Sequence, residues 1–453
     1  MKILTVLAVV VAVVATVSGQ GRGQAVAPSN LPENPTPVAF PAVSEQVTGP
    51  GTMYESVQSL APGKGLSNFN YAEKEYFVSG TANGRPYKTR VVVRRPIDNT
   101  RFNGLVLAEP MHPSGSAHMF EFTSIYGMST GYIAIDMLIG GMQQVIDHNP
   151  ERYKDFKIEP SQNNEVIAQI GALIRSNQNS GPMAGLRVRK MILAGTSATA
   201  GTLINYLPAH MVYRTPDMQR IFDGFMPTSN GSLIQKIDVP LVHVPTMLEV
   251  RGANITSRQD GDAPGDQYRV YEFPGIGHVD SRDNVRLIPN PCKYPTNQFP
   301  AQAFMSVALH HLFQWVDKGI VPPSADRIWK DRNEKNDGSP MVMDEHGNPR
   351  GGVRNTYVDV PTASHNVPNE AAAELIPNAS AYVAKGGMQA ARQMCGLASY
   401  QIDLSKAEMK QLYGSKQNYR SKVEKRLTEL EKAGWSLPVY REMILGDAAR
   451  VEF

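Results

Sequence analysis

Three short apolar runs, each framed by turn-forming residues, limit what this chain can fold into more than any other feature. They are Gly104-Leu105-Val106-Leu107-Ala108, Tyr132-Ile133-Ala134-Ile135 and Lys190-Met191-Ile192-Leu193-Ala194. A strand with one solvated face alternates apolar and polar side chains, whereas a run that is apolar at nearly every position needs cover on both faces. A parallel sheet with helices packed on each side provides that cover. A helix-period stretch at residues 165–174 precedes the third run, and further strand-like segments follow at 222–226, 239–244 and 268–273. Ahead of the first run, residues 75–80 and 87–96 do alternate, with Ala82-Asn83-Gly84 between them, as in an antiparallel hairpin. The succession predicts a doubly wound, mostly parallel α/β sheet that opens with an antiparallel hairpin. With 453 residues, 42% of them hydrophobic, the chain can bury a substantial core.

Around that core, residues 52–328, the sequence changes character at both ends. Lys2 is followed by an uncharged apolar run over residues 3–17, and Val17-Ser18-Gly19 sets small or acceptable residues before Gln20. A run of about 15 residues is short of the roughly 20 that span a bilayer as a helix. Residues 1–19 therefore read as a cleaved signal peptide, with an uncleaved anchor as the alternative. The mature protein is expected to be secreted, extracellular or periplasmic, with no membrane partner once the signal is removed. Residues 20–51, rich in Pro, Gly, Ala, Ser and Val, read as an extended arm or linker. An amphipathic helix is predicted over 302–316. Residues 329–453 are polar and loop-rich, with a charged helix near 406–433, and read as a C-terminal elaboration packed on the core. Export permits disulfides, and the two cysteines, Cys292 and Cys395, allow a single bridge that would tie this elaboration to the core; two buried thiols are the alternative. Sequons stand at Asn230, Asn254 and Asn378. The net charge of +3, carried by dispersed basic residues, argues against a nucleic-acid partner.

The chemistry gathers where the third apolar run ends. Leu193-Ala194-Gly195-Thr196-Ser197-Ala198-Thr199-Ala200-Gly201 leads from a strand through small residues into the helix-forming stretch 202–207. A sharp strand-to-helix turn of this kind lifts a serine hydroxyl above a sheet, and it needs small neighbours because bulky ones would clash with the strained backbone. Gly195 fits at two residues before Ser197; two residues after it, the usual glycine is replaced by Thr199. A base must reach that serine, and Phe273-Pro274-Gly275-Ile276-Gly277-His278 places His278 on a glycine-bracketed loop just past the last predicted strand. The acid that orients it belongs between the two in the chain: Glu249, at the end of the preceding strand region, or Asp260, Asp262 or Asp266 in the following loop. An oxyanion hole calls for two backbone N–H groups. One is expected from Ala198. The other is expected from the loop after 104–108, where Pro110 has none to give and Met111 or His112 is the candidate. His112 is also a candidate for touching substrate.

These segments resemble a known family, the secreted branch of the α/β-hydrolase superfamily described as alpha/beta hydrolase domain proteins. The matching pieces include residues 75–82, Arg94-Arg95-Pro96 with Arg101-Phe102-Asn103-Gly104, Gly195-Thr196-Ser197-Ala198-Thr199-Ala200, Phe222-Asp223-Gly224-Phe225, Gly277-His278-Val279-Asp280 and Gly351-Gly352-Val353-Arg354. The likeness runs from about Tyr71 to the C-terminus. It implies an α/β-hydrolase fold with a serine triad and no cofactor. Two departures from the family pattern stand out: Ala198-Thr199-Ala200 where Gln-Ser-Ala is common, and Thr246-Met247-Leu248-Glu249 where Thr-Glu-Thr-Asp is common. The expected activity is hydrolysis of a small-molecule carboxylic ester by Ser197, His278 and Glu249 through an acyl-enzyme. Amide, lactone or thioester cleavage would use the same groups. Two other readings compete: a catalytically silent hydrolase-fold binding protein, and a metal-dependent hydrolase built from His278, Asp280 and Asp283 with the acidic loop at 260–266. No compact ligand pattern supports the metal reading, so no metal is expected.

Overall fold

The apolar runs all become strands of one sheet, and their alternate residues face two different cores. The computed structural model of the protein describes residues 31–176, 180–252, 258–282, 284–331 and 341–453. The leader at 1–19, the start of the arm, Asn254 and Asp283 lie outside them. Nine strands form the sheet: β1 (Ala42–Val43), β2 (Tyr71–Ala82), β3 (Arg85–Pro96), β4 (Leu105–Pro110), β5 (Ile133–Met137), β6 (Lys190–Thr196), β7 (Gly224–Thr228), β8 (Leu241–His243) and β9 (Tyr268–Val270). Their order across the sheet is β9-β8-β7-β6-β4-β5-β3-β2-β1. Neighbours from β9 to β5 run parallel, and β5-β3, β3-β2 and β2-β1 run antiparallel.

Within β4, Leu105 and Leu107 join one apolar cluster while Val106 and Ala108 join the other. Ile192 and Met191 of β6 divide in the same way. That is the period of two expected of a strand, here with both faces apolar because both are covered. One face packs on α1 (His118–Thr130) and the long helix α4 (Ala301–Lys318), the other on α2 (Asn163–Arg175) and α3 (Ala198–Val212). The α/β-hydrolase architecture expected from the sequence is thus the one observed.

The hairpin closes on Asn83-Gly84, both at positive φ (48° and 70°), with Ala82 and Arg85 paired. Such a two-residue turn matches the twist of its strands, and asparagine and glycine are the residues that tolerate it. The hairpin departs from its amphipathic reading in one respect: Arg90 and Arg94 on β3 are fully buried. Each is held by carboxylates. Arg90 pairs with Glu75 at 2.7 Å, and Arg94 pairs with Asp136 at 2.7 Å.

The other differences lie in segment ends and in the C-terminal region. The strand expected at 222–226 is set two residues later, at Gly224–Thr228, with Phe222 packed in the core ahead of it. The arm supplies β1 and, at Thr36–Pro37, a second short pairing, this one parallel, with Tyr213–Arg214. The charged helix near 406–433 is two helices, Lys406–Tyr413 and Lys416–Lys432, parted at Gly414 with φ 71°. Their apolar faces, including Met409, Tyr413, Val423 and Leu427, join the cluster beneath α1 and α4. Cys292 and Cys395 are joined in a disulfide, which anchors the helical segment Ala381–Leu397, kinked at Gly387, beside the core. No described helix is long and apolar enough to cross a membrane.

Candidate active site

Ser197 occupies the single residue between the end of β6 and the start of α3, with φ 53° and ψ −118°. A non-glycine residue at such a φ is strained and persists only where its surroundings impose it. Here the Ser197 N–H donates to the Thr228 carbonyl at 3.0 Å, so the last residue of β7, which lies past its predicted end, holds the turn. A side chain on Gly195 would place its Cβ 2.5 Å from the Thr199 carbonyl oxygen, so only glycine fits there.

Thr199 explains the broken glycine pattern. Its Oγ1 accepts from the Thr196 N–H at 3.0 Å and donates to the Thr196 carbonyl at 2.9 Å, strapping the first turn of α3 to the end of β6. Both residues are almost completely buried. A Thr199→Val variant keeps the shape and removes the strap, leaving the Thr196 backbone groups unpaired. It is expected to lose about 1–3 kcal/mol of stability and to lower turnover through a loosened serine. Chemical denaturation alongside an activity assay measures both; a variant as stable and active as wild type would show the strap to be dispensable.

His278 reaches the serine from the loop after β9. Gly275 stands at φ 103°, and a Cβ on Gly277 would come within 2.6 Å of the Ser399 nitrogen. The Val279 N–H donates to the Leu397 carbonyl at 3.2 Å. The chain just past the disulfide-anchored helix therefore presses directly on the histidine loop. His278 Nε2 lies 2.8 Å from Ser197 Oγ, and its Nδ1 lies 2.5 Å from Glu249 Oε1. Glu249 is carried by the short helical turn Met247–Arg251 that follows β8. Its second oxygen accepts from the Thr246 N–H at 2.9 Å and the Thr246 hydroxyl at 2.5 Å. Burial pushes this carboxyl up, but the neighbouring His278 and the Thr246 hydrogen bonds outweigh it and hold Glu249 below the usual carboxylate range.

The structure brings Ser197, His278 and Glu249 together and keeps the three aspartates apart from them. Asp260 pairs with Arg327 at 3.1 Å, Asp262 with Arg269 at 2.5 Å, and Asp266 with Lys236 at 2.6 Å and with Arg258. Arg251, an alternative partner for Glu249, instead donates to the Val367 carbonyl at 2.6 Å.

Ala198, as the first residue of α3, has no carbonyl one turn back to receive its N–H, which leaves that group available beside Ser197. The second backbone donor is a correction. The Met111 N–H donates to the Met137 carbonyl at 2.7 Å, because the bonding between β4 and β5 continues one residue beyond the strand. The His112 N–H donates to the Ser116 carbonyl at 3.0 Å, closing a tight turn that also bonds Gly115 N–H to the His112 carbonyl at 2.7 Å. Neither backbone N–H is free to meet an oxyanion.

Sequence reasoning also passed over three polar groups beside that loop. Ser114 Oγ lies 2.7 Å from Nδ1 of His112 and 3.1 Å from Nε2 of His118, and Nδ1 of His118 lies 2.9 Å from Glu121 Oε2. His118 and Glu121 are carried by α1, which has no one-sided apolar stripe because it is buried nearly all round, so the periodicity that betrays most helices is missing. Its start is capped by Glu109 of β4, whose carboxylate oxygens accept from Met119 N–H at 2.9 Å and Phe120 N–H at 2.8 Å. Among the described residues no three His, Cys, Asp or Glu side chains are grouped so as to hold a metal ion.

Among solved structures, the chain is similar to esterase Est22, at 11% identity and a TM-score of 0.31 over 46% of this chain and 73% of that one. Against another Est22 structure the TM-score is 0.29 at 10% identity, over 40% of this chain and 66% of that one, just under two thirds of its length. A cold-adapted esterase from an Arctic intertidal metagenomic library is similar at 13% identity and a TM-score of 0.25, over 44% of this chain and 84% of that one. Likeness at this level bears on no residue and no reaction. No curated protein matches the chain. A family model described as alpha/beta hydrolase domain matches residues 38–446, nearly the whole of the described chain, and the protein belongs to that family.

Proposed function

We propose that the protein is a secreted serine hydrolase that cleaves a small-molecule carboxylic ester through an acyl-enzyme. The observation that carries this reading is the unbroken line from Ser197 Oγ through His278 to Glu249, at 2.8 and 2.5 Å. In the proposed reaction Ser197 Oγ attacks the ester carbonyl carbon while His278 Nε2 takes its proton. The resulting oxyanion takes a hydrogen bond from the Ala198 N–H. As the tetrahedral species collapses, the carbon–oxygen bond to the alcohol breaks and His278 returns its proton to the departing oxygen. Water then attacks the acyl group by the same route and regenerates Ser197. Glu249, ionised and fixed by Thr246, keeps the His278 proton on Nδ1 so that Nε2 stays an acceptor. In this reading residues 52–328 form the hydrolase core and 329–453 an elaboration that braces the histidine loop. The apolar leader at 1–19 supports export, and the Cys292–Cys395 bridge is in keeping with an oxidising compartment.

The test is purified mature protein on a panel of p-nitrophenyl esters of increasing acyl length, with a fluorophosphonate probe alongside. Turnover of at least one ester, together with one probe bound per chain, is the expected result. A chain that turns over none and binds no probe is a silent hydrolase-fold binding protein instead.

A further inference from the structure

The parallel register of β4 and β6 pairs Leu105 with Lys190 and Ala108 with Leu193. His112 stands just past the C-terminal end of β4, beside the β6 end that leads into Ser197, and close enough to His278 for that imidazole to act on its charge. Its backbone N–H is engaged with Ser116, so the side chain is what this residue offers to the site. The tautomer of that side chain follows from its partners. The Ser114 backbone N–H donates to His112 Nδ1 at 3.0 Å, and an amide can only donate. Nδ1 therefore holds the lone pair, and the ring proton sits on Nε2. That Nε2 has no hydrogen-bond partner among the described residues.

We propose that the His112 Nε2–H is the second oxyanion donor, working beside the Ala198 N–H on the oxygen that becomes negative when Ser197 attacks. This rests on the triad reading above and adds the donor which that reading lacks. A chain of polar groups holds the ring in place: Glu121, His118 and Ser114 follow one another at 2.9 and 3.1 Å, ending on His112 Nδ1 at 2.7 Å. Glu121 is in turn fixed by the N–H groups of Gln58 and Ser59 at 2.6 and 3.0 Å. The Arg286 guanidinium closes the outer side by donating to the Ser114 carbonyl at 3.0 Å. Burial, together with the nearby His118, Arg286 and His278, pushes the His112 imidazole down to about 3, so it stays neutral. A neutral imidazole donates without handing its proton to the oxyanion, and a pre-aimed donor stabilises the transition state more than the ground state. Ser114, His118 and Glu121 are positioning residues in this arrangement.

The experiment compares wild type, His112→Phe and His112→Gln on the best p-nitrophenyl ester. Phenylalanine keeps the ring and removes the donor. Glutamine places an amide N–H near the position of Nε2. The expected result is a fall in kcat of about 10²–10³ for His112→Phe, the loss typical of one oxyanion donor, with KM little changed. His112→Gln should recover at least ten-fold of that loss, roughly the scale of one neutral hydrogen bond. Melting temperatures near wild type for both would show that the fold survives. An active wild type with an equally active His112→Phe overturns this assignment and leaves the triad untouched. Equal, large losses in both variants overturn it in favour of a purely structural role. A wild type that hydrolyses no ester overturns the triad reading and this one with it.

Discussion

Ser197→Ala is expected to lower kcat by about 10⁶, the loss seen when a triad nucleophile is removed, and to abolish fluorophosphonate labelling. The prediction rests on how little else the hydroxyl does. Among the described residues Ser197 Oγ has one hydrogen-bonding partner, His278 Nε2, and the residue is partly buried. Alanine meets the same φ of 53° that serine already tolerates, and the turn is held by backbone bonds and by Thr199, which the substitution leaves alone. The melting temperature should therefore stay within a few degrees of wild type, as for most substitutions that break no buried interaction. A large fall in activity with an intact fold separates a nucleophile from a structural serine. Labelling that survives in Ser197→Ala would overturn the assignment. Ser114, 3.1 Å from Nε2 of a histidine backed by Glu121, is then the residue to map.

How far the site could be read from the chain depended on whether its parts were local in sequence. Ser197 and His278 announced themselves because each needs special backbone nearby, and glycine marks such backbone: Gly195 beneath the elbow, Gly275 and Gly277 beneath the histidine loop. The sheet was legible for a related reason. Strands covered on both faces, such as β4 and β5, leave apolar runs that nothing else explains. What stayed hidden was set by tertiary contacts. Thr199 stands where glycine is usual because its hydroxyl bonds Thr196 across the turn, which no spacing rule expresses. The buried Arg90 and Arg94 read as the polar face of a hairpin until Glu75 and Asp136 are seen to neutralise them. The donor capacity of the loop after β4 was misjudged for the same reason. Counting N–H groups identified Met111 and His112, but only the fold shows that Met137 and Ser116 already accept from them.

The acid is where sequence left four candidates, and Glu249→Gln is expected to separate them. In the structure Glu249 Oε2 accepts two hydrogen bonds from Thr246, one from its N–H and one from its hydroxyl. A glutamine in this place keeps its carbonyl oxygen on those donors, because the backbone N–H cannot accept from an amide. The NH₂ group is then turned toward His278 Nδ1. A donor facing Nδ1 forces the ring proton onto Nε2, where it can no longer take the proton from Ser197. Turnover should fall by about 10⁴, the size of this effect in a well-studied triad. Stability should change far less, since the carboxylate is not tied to Arg251. Asp260→Asn, Asp262→Asn and Asp266→Asn remove partners of Arg327, Arg269, Lys236 and Arg258, none of which touches His278. Those three variants should keep activity within a few-fold of wild type and show their cost in melting temperature instead, least for the exposed Asp262, where a surface pair is worth about 0.2–1 kcal/mol. Turnover and melting temperature on all four variants decide the matter. A dead aspartate variant beside an active Glu249→Gln would move the acid into the loop and break the hydrogen-bond line on which the proposed mechanism rests.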